Sequence, residues 1–165
     1  TWTERTLEPG DKLFVELSGS AGRYHAPMGR LLFVDKMPPG AEEIAQVCLA
    51  AFENVTRAIR PGVAAHQVYQ AWQDRVDAAG LAHYRRHHCG YMVGSAFPPA
   101  WSGGGVPRGL RRNSDLILRS GMVFHLMSWL MHTGRAGDYF VSDAALVTDD
   151  GCEVLTTVPQ SVHVV

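Results

Sequence analysis

The 165-residue chain is short of several things, and each shortage excludes a class of function. Its three cysteines, Cys48, Cys89 and Cys152, are odd in number, widely spaced and without a C-x-x-C pair. That pattern speaks against a disulfide framework or a structural zinc site and fits reduced thiols in the cytoplasm. Its charges nearly cancel, 15 basic against 16 acidic residues for a net charge of -1, and no basic run exceeds two, as in Arg85-Arg86 and Arg111-Arg112. Such a chain draws neither nucleic acid nor an anionic membrane surface. No apolar run reaches membrane-spanning length. With 46% hydrophobic residues the chain can bury one substantial core, so a single domain is expected.

What is present is organised around residues 10 to 30. From Lys12 to Leu17 the residues alternate, so Leu13, Val15 and Leu17 share one face of a strand while Phe14 and Glu16 share the other. Ser18 to Gly22 reads as a wide glycine-rich loop, beyond which Tyr24 and His25 face Glu16 as a pair and the chain resumes as a second strand through Val34. The plain alternative for this hairpin is an edge element with a solvated glutamate.

Met37-Pro38-Pro39-Gly40 then breaks the extended run, and Ile44, Val47, Cys48, Ala51, Phe52, Val55 and Ile59 form the apolar stripe of a helix that opens on Glu42 and Glu43. Cys48 on that stripe is a core residue. Pro61-Gly62 ends the helix, and a second runs from about Ala64 to Ala79 with Val68, Ala71, Trp72 and Val76 on one face. His83, His87 and His88 beside Cys89 invite a metal reading, but no carboxylate is near and the flanking glycines favour strand or loop, so a packed or hydrogen-bonded role is expected. Phe97 to Gly105 is a loop stiffened by two prolines and loosened by three glycines. Residues 121 to 131, 139 to 148 and 154 to 157 read as strands, with His125 inside the first and Asp149-Asp150-Gly151 as a hairpin turn. The order gives an α+β domain, a curved antiparallel sheet backed by helices.

That order, with Gly10-Asp11, Arg30, Arg60-Pro61-Gly62, Gly90 to Gly94, Gly121-Met122-Val123-Phe124 and Leu146 to Thr156 in their places, resembles the creatinase and aminopeptidase P family over nearly the whole chain. The resemblance implies the pita-bread fold, a homodimer, and a catalytic domain whose amino-terminal part is absent from residues 1–165. Metallopeptidases of that family hold two metal ions with two Asp, one His and two Glu; these positions fall here on Glu16, Pro27, Tyr91, Met127 and Ser142. Pro and Met offer no suitable donor, and Tyr and Ser would have to ionise, so no metal and no other cofactor is expected.

Among members that work without metal, the ectoine hydrolases are more similar, at Glu16 to Gly19, at Arg23-Tyr24-His25-Ala26-Pro27 with Arg30, at Gly90-Tyr91 with Phe97-Pro98-Pro99 and Trp101, and at Gly121-Met122 with Phe124-His125. The activity this implies is hydrolysis of a small cyclic amidine, ectoine, to N-acetyl-diaminobutyrate. Glu16 would pair with the amidinium and either attack its carbon or activate a water, and His25 or His125 would protonate the departing nitrogen. Tyr24 and Tyr91 would hydrogen-bond the substrate, and Phe97 and Trp101 would exclude water. The competing readings are a catalytically silent binding module and a peptidase with an unusual metal site.

Overall fold

The computed structural model describes residues 3–103 and 107–165, so two of the three loop glycines, Gly104 and Gly105, lie outside the described residues. The chain runs β1 (Lys12–Ala21), β2 (Tyr24–Phe33), α1 (Ala41–Ala58), α2 (Ala65–Ala78), β3 (Gly90–Met92), β4 (Val123–Leu130), β5 (Tyr139–Val147), β6 (Cys152–Val154) and β7 (His163–Val164). The strands form one sheet in the order β1-β2-β5-β4-β3, with β6 on β5 and β7 on β2. Every pairing is antiparallel except that of β7 with β2. The architecture is α+β, with α1 packed across β4 and β5 and α2 packed on α1.

The apolar stripe explains the layering. Ile44, Val47, Cys48, Ala51, Phe52, Val55 and Ile59 are all buried, as are Val68, Trp72 and Val76 of α2. The periodicity that turns these residues to one side of each helix turns them onto the sheet. Cys48 donates its thiol proton to Ser128, whose hydroxyl also accepts from the indole N–H of Trp72 at 3.0 Å. Burial pushes that thiol up to about 12, which removes it as a nucleophile.

Four details differ from the sequence reading. The wide loop at Ser18 to Gly22 is instead strand: β1 extends to Ala21, and the turn is the two residues Gly22 and Arg23, with φ of 55° and 69°. Both are left-handed, the geometry that matches the twist of a two-residue hairpin, and glycine at the first position makes it cheap. Tyr24 and His25 do not face Glu16 as a pair. Successive strand residues point to opposite faces, so Tyr24 turns outward and is 68% exposed while His25 turns inward and is buried. His25 also pairs with Ser20, whereas Glu16 pairs with Gly29, so the two backbones stand four residues apart along the strands, about 13 Å. The strand expected at 154 to 157 lies instead at Cys152–Val154, as β6, and shares only Val154 with the expectation, while β7 carries no periodic signal at two residues in length.

The aliphatic face of β1 is not core: Val15 is 39% and Leu17 53% exposed. β1 is an edge strand, and Phe14 and Glu16 are the residues it turns toward the rest of the sheet.

One cross-link sets the position of the central strands. Arg30 on β2 donates to both carboxylate oxygens of Asp143 on β5, at 3.0 and 3.2 Å, and to the carbonyls of Gly29, Ser142, Val158 and Pro159. Asp143 accepts further bonds from Thr156 and Gln160. Both side chains are almost fully buried, and every charge is matched, which is what makes a buried ion pair tolerable.

Candidate active site

Register determines which side chains meet. Glu16 lies opposite Gly29, Gly29 opposite Ser142, and Ser142 opposite Met127, while His125, two residues from Met127 on the same face, lies opposite Tyr91. Residues in register share a face, so one residue from each of five strands is delivered to the side of the sheet away from the helices. Gly29 is needed in that row. A Cβ there would stand 2.4 Å from Phe140 Cε1 and 2.8 Å from Ser142 Oγ, closer than packed atoms approach.

A chain of polar contacts crosses this face. The indole N–H of Trp101 donates to the Tyr91 phenol oxygen at 2.9 Å, that oxygen lies 2.9 Å from His125 Nδ1, and His125 Nε2 lies 2.8 Å from Ser142 Oγ. Glu16 Oε1 is 3.7 Å from the same Nε2. Indole can only donate, so Tyr91 accepts from Trp101 and has its proton free for Nδ1. That leaves the His125 proton on Nε2, directed at Ser142 and the neighbouring carboxylate.

Burial governs the protonation states. His125 is fully enclosed, and desolvation, helped by nearby His88, brings its pKa down to about 4. Desolvation raises Glu16 above the usual carboxylate range, and it raises the Tyr91 phenol. At neutral pH the face therefore holds a neutral imidazole, a neutral phenol and one carboxylate.

Of the residues expected from sequence, the structure brings together Glu16, His125, Tyr91 and Trp101. His25 is buried on the same side but spends Nε2 on the Ala96 carbonyl at 3.3 Å, steadying the loop rather than meeting Glu16. Tyr24 points outward, and Phe97, 72% exposed, packs its ring under the Arg23 guanidinium at 5.5 Å. Neither belongs to the cluster. Sequence reasoning missed the Ser142 hydroxyl as a partner of His125 and missed Phe14, Trp129 and Phe140, whose rings pack with centroids 4.4 to 5.3 Å apart beside Glu16. The period-two alternation of Phe140, Ser142 and Ala144 with Phe14 and Glu16 was the available signal. A cavity of about 480 Å³ lined by Arg108, Asp115 and Arg119 among others shares no residue with this chain of contacts.

Four of the five positions onto which the resemblance carries metal ligands offer no suitable donor in this geometry. Pro27 has no donor atom, Met127 offers only a thioether, the Ser142 hydroxyl is engaged by His125, and burial makes the Tyr91 phenol harder to ionise. Among the described residues no group of three His, Cys, Asp or Glu side chains is placed to share a cation. The donors present do not fit a dinuclear centre.

The comparisons agree on fold and family. The chain is 32% identical to the hydrolase/peptidase y4tM of Sinorhizobium fredii, over 99% of this chain and 40% of that protein. It is 30% identical to the ectoine hydrolase of Halomonas elongata, again over 99% of this chain and 40% of the relative. The crystal structure of dipeptidase PepE from Mycobacterium ulcerans superposes with a TM-score of 0.83 at 25% identity, over 99% of this chain and 42% of that one. The chain thus spans about two fifths of the length of the curated relatives it matches, and it shares the pita-bread fold of its structural neighbours. The sequence profile of metallopeptidase family M24 matches residues 1–149, and the chain belongs to that family.

Proposed function

We propose that this face hydrolyses a C–N bond of a small cyclic amidine without a metal, ectoine to N-acetyl-diaminobutyrate being the reaction that fits it best. One observation carries the reading: the carboxylate standing where the family has a ligand, Glu16, is backed by a neutral His125–Tyr91–Ser142 hydrogen-bonded chain instead of further cation ligands. An amidinium carbon is already electrophilic, and a partly desolvated carboxylate is the group that pairs with its charge.

Water adds to the amidinium carbon as Glu16 takes its proton, or Glu16 attacks and water releases the acyl-enzyme; the two routes share one balance. A C–O bond forms, the ring C–N bond breaks, and the departing nitrogen leaves as an ammonium. The raised Glu16 pKa suits the first route, because a carboxylate that protonates more readily is a better base. His125 Nε2, hydrogen-bonded to Ser142 and 3.7 Å from the carboxylate, passes a proton toward the leaving nitrogen. Similarity to the ectoine hydrolase of Halomonas elongata supports this substrate class.

A second reading, metal-dependent dipeptide hydrolysis, draws on the family itself and on the likeness to PepE. Proton NMR of ectoine with the purified protein and a chelator, run beside Glu16→Gln, separates the two. Ring opening by the parent and none by the variant supports the proposal. Silence toward ectoine, with cleavage of a dipeptide that appears only on adding a divalent cation, replaces it with the second reading.

A further inference from the structure

We infer that Arg86, with His88, forms a carboxylate-binding subsite on the rim of this face, so that the ligand is a zwitterion whose cationic end meets Glu16 and whose anionic end meets Arg86. Arg86 precedes β3 in the loop that leads to Tyr91. Its guanidinium lies over the ring of Trp129 at 4.8 Å, and Trp129 packs on Phe14 and Phe140, the aromatic floor beside Glu16. The two ends of one binding surface are thereby marked by opposite charges.

The arginine lacks what a half-buried cation needs. Its sequence neighbour Arg85 is paired with Asp77 at 2.7 Å, yet among the described residues no carboxylate lies within ion-pairing distance of Arg86. Its Nε is enclosed and without a hydrogen-bond partner, and His88 Nδ1 is in the same condition. An enclosed polar atom without a partner costs about 1–3 kcal/mol, more when charged, and a ligand that hydrogen-bonds it removes that cost. His88 stands edge-on to Tyr91 at 5.5 Å, so the pair borders the hydrogen-bonded chain already described. A planar fork of N–H donors stacked on an aromatic ring selects a planar carboxylate over a point anion. Phe14, 41% exposed although packed on two aromatic rings, leaves that floor open to a ligand.

The identity of the ligand as an amidine carboxylic acid rests on the proposed function; the anion subsite does not. Two arms keep them apart. In the first, the His88 ring proton resonance, assigned from the spectrum of His88→Gln, is followed by NMR while acetate, acetamide or inorganic phosphate is added. Saturable movement with acetate alone, lost in Arg86→Gln and partly kept in Arg86→Lys, is the expected result. Movement with acetate and acetamide alike, with phosphate alone, or unchanged in a folded Arg86→Gln overturns the subsite. In the second arm, ectoine and its carboxamide are compared as substrates. The parent prefers the carboxylate by roughly 10- to 100-fold in KM, the value of one or two charged hydrogen bonds, and Arg86→Gln erases the preference. Equal KM values in the parent overturn the subsite while leaving amidine hydrolysis standing. No turnover of either compound, with acetate still binding, overturns the amidine reading alone.

Discussion

Replacing His125 by glutamine should flatten the acid side of the stability curve by about 2 kcal/mol. The imidazole is fully enclosed and neutral, with a pKa of about 4 in the folded chain against 6.5 in an open one. Between those values the unfolded chain holds a proton that the folded chain refuses, so stability falls as pH falls. The contribution is fully present above about pH 6.5, and the whole shift, from 6.5 to about 4, is worth roughly 3 to 4 kcal/mol at about 1.4 kcal/mol for each pH unit. Some 2 kcal/mol of this is lost by about pH 5, where the unfolded His is protonated and the folded one is not. Glu16, at 3.7 Å, would attract a charged imidazole, but burial outweighs it. His125→Gln keeps groups able to accept from Tyr91 and donate to Ser142 and has nothing to titrate. Urea unfolding of parent and variant from about pH 7.5 to pH 5 measures the difference. The variant starts less stable and the gap narrows as pH falls. A gap constant across that range would refute the assignment of a neutral, desolvated imidazole.

Glu16→Gln should remove ring opening while raising the melting temperature at pH 8. The folded chain penalises the carboxylate, so the gain is present above the raised Glu16 pKa and fades as pH falls toward 4; a melting temperature lowered at pH 8 would contradict this. Arg30→Met should cost about 3–5 kcal/mol in urea unfolding because it strands the buried Asp143, and Arg30→Met combined with Asp143→Leu should recover a large part of it. Gly29→Ala should cost about 1–3 kcal/mol, since its Cβ meets Phe140 at 2.4 Å, and Phe140→Leu in the same chain should relieve it; stability equal to the parent would show that the row has slack.

The helices and the central strands were legible because their signals are local. The stripe from Ile44 to Ile59 and the alternation through β4 and β5 need no knowledge of partners. The face carrying Glu16 followed from the same alternation. What escaped was whatever depends on register. Whether Gly22-Arg23 or a five-residue loop closes the first hairpin decides which residue of β2 faces Glu16, and with it whether His25 or Gly29 is its neighbour. His125 and Ser142 come together because two strands, 17 residues apart in sequence at these positions, are aligned by pairing that no periodicity announces. Arg86 and His88 lie in a stretch with neither helical nor strand period, so only their surroundings single them out.

The Arg30 clasp has a consequence for the order in which the protein is made. Every acceptor of that guanidinium other than the Gly29 carbonyl lies at residue 142 or beyond, at 142, 143, 158 and 159. A nascent chain therefore emerges with the Glu16 hairpin already synthesised and its anchor still inside the ribosome. More than a hundred residues must follow before the arginine finds its partners, so the hairpin waits on contacts of high sequence separation, the slow kind. During that interval the glutamate and the aromatic ring of Phe14 belong to a loose two-stranded ribbon, and residues made more than a hundred positions later hold the strand beside them in place.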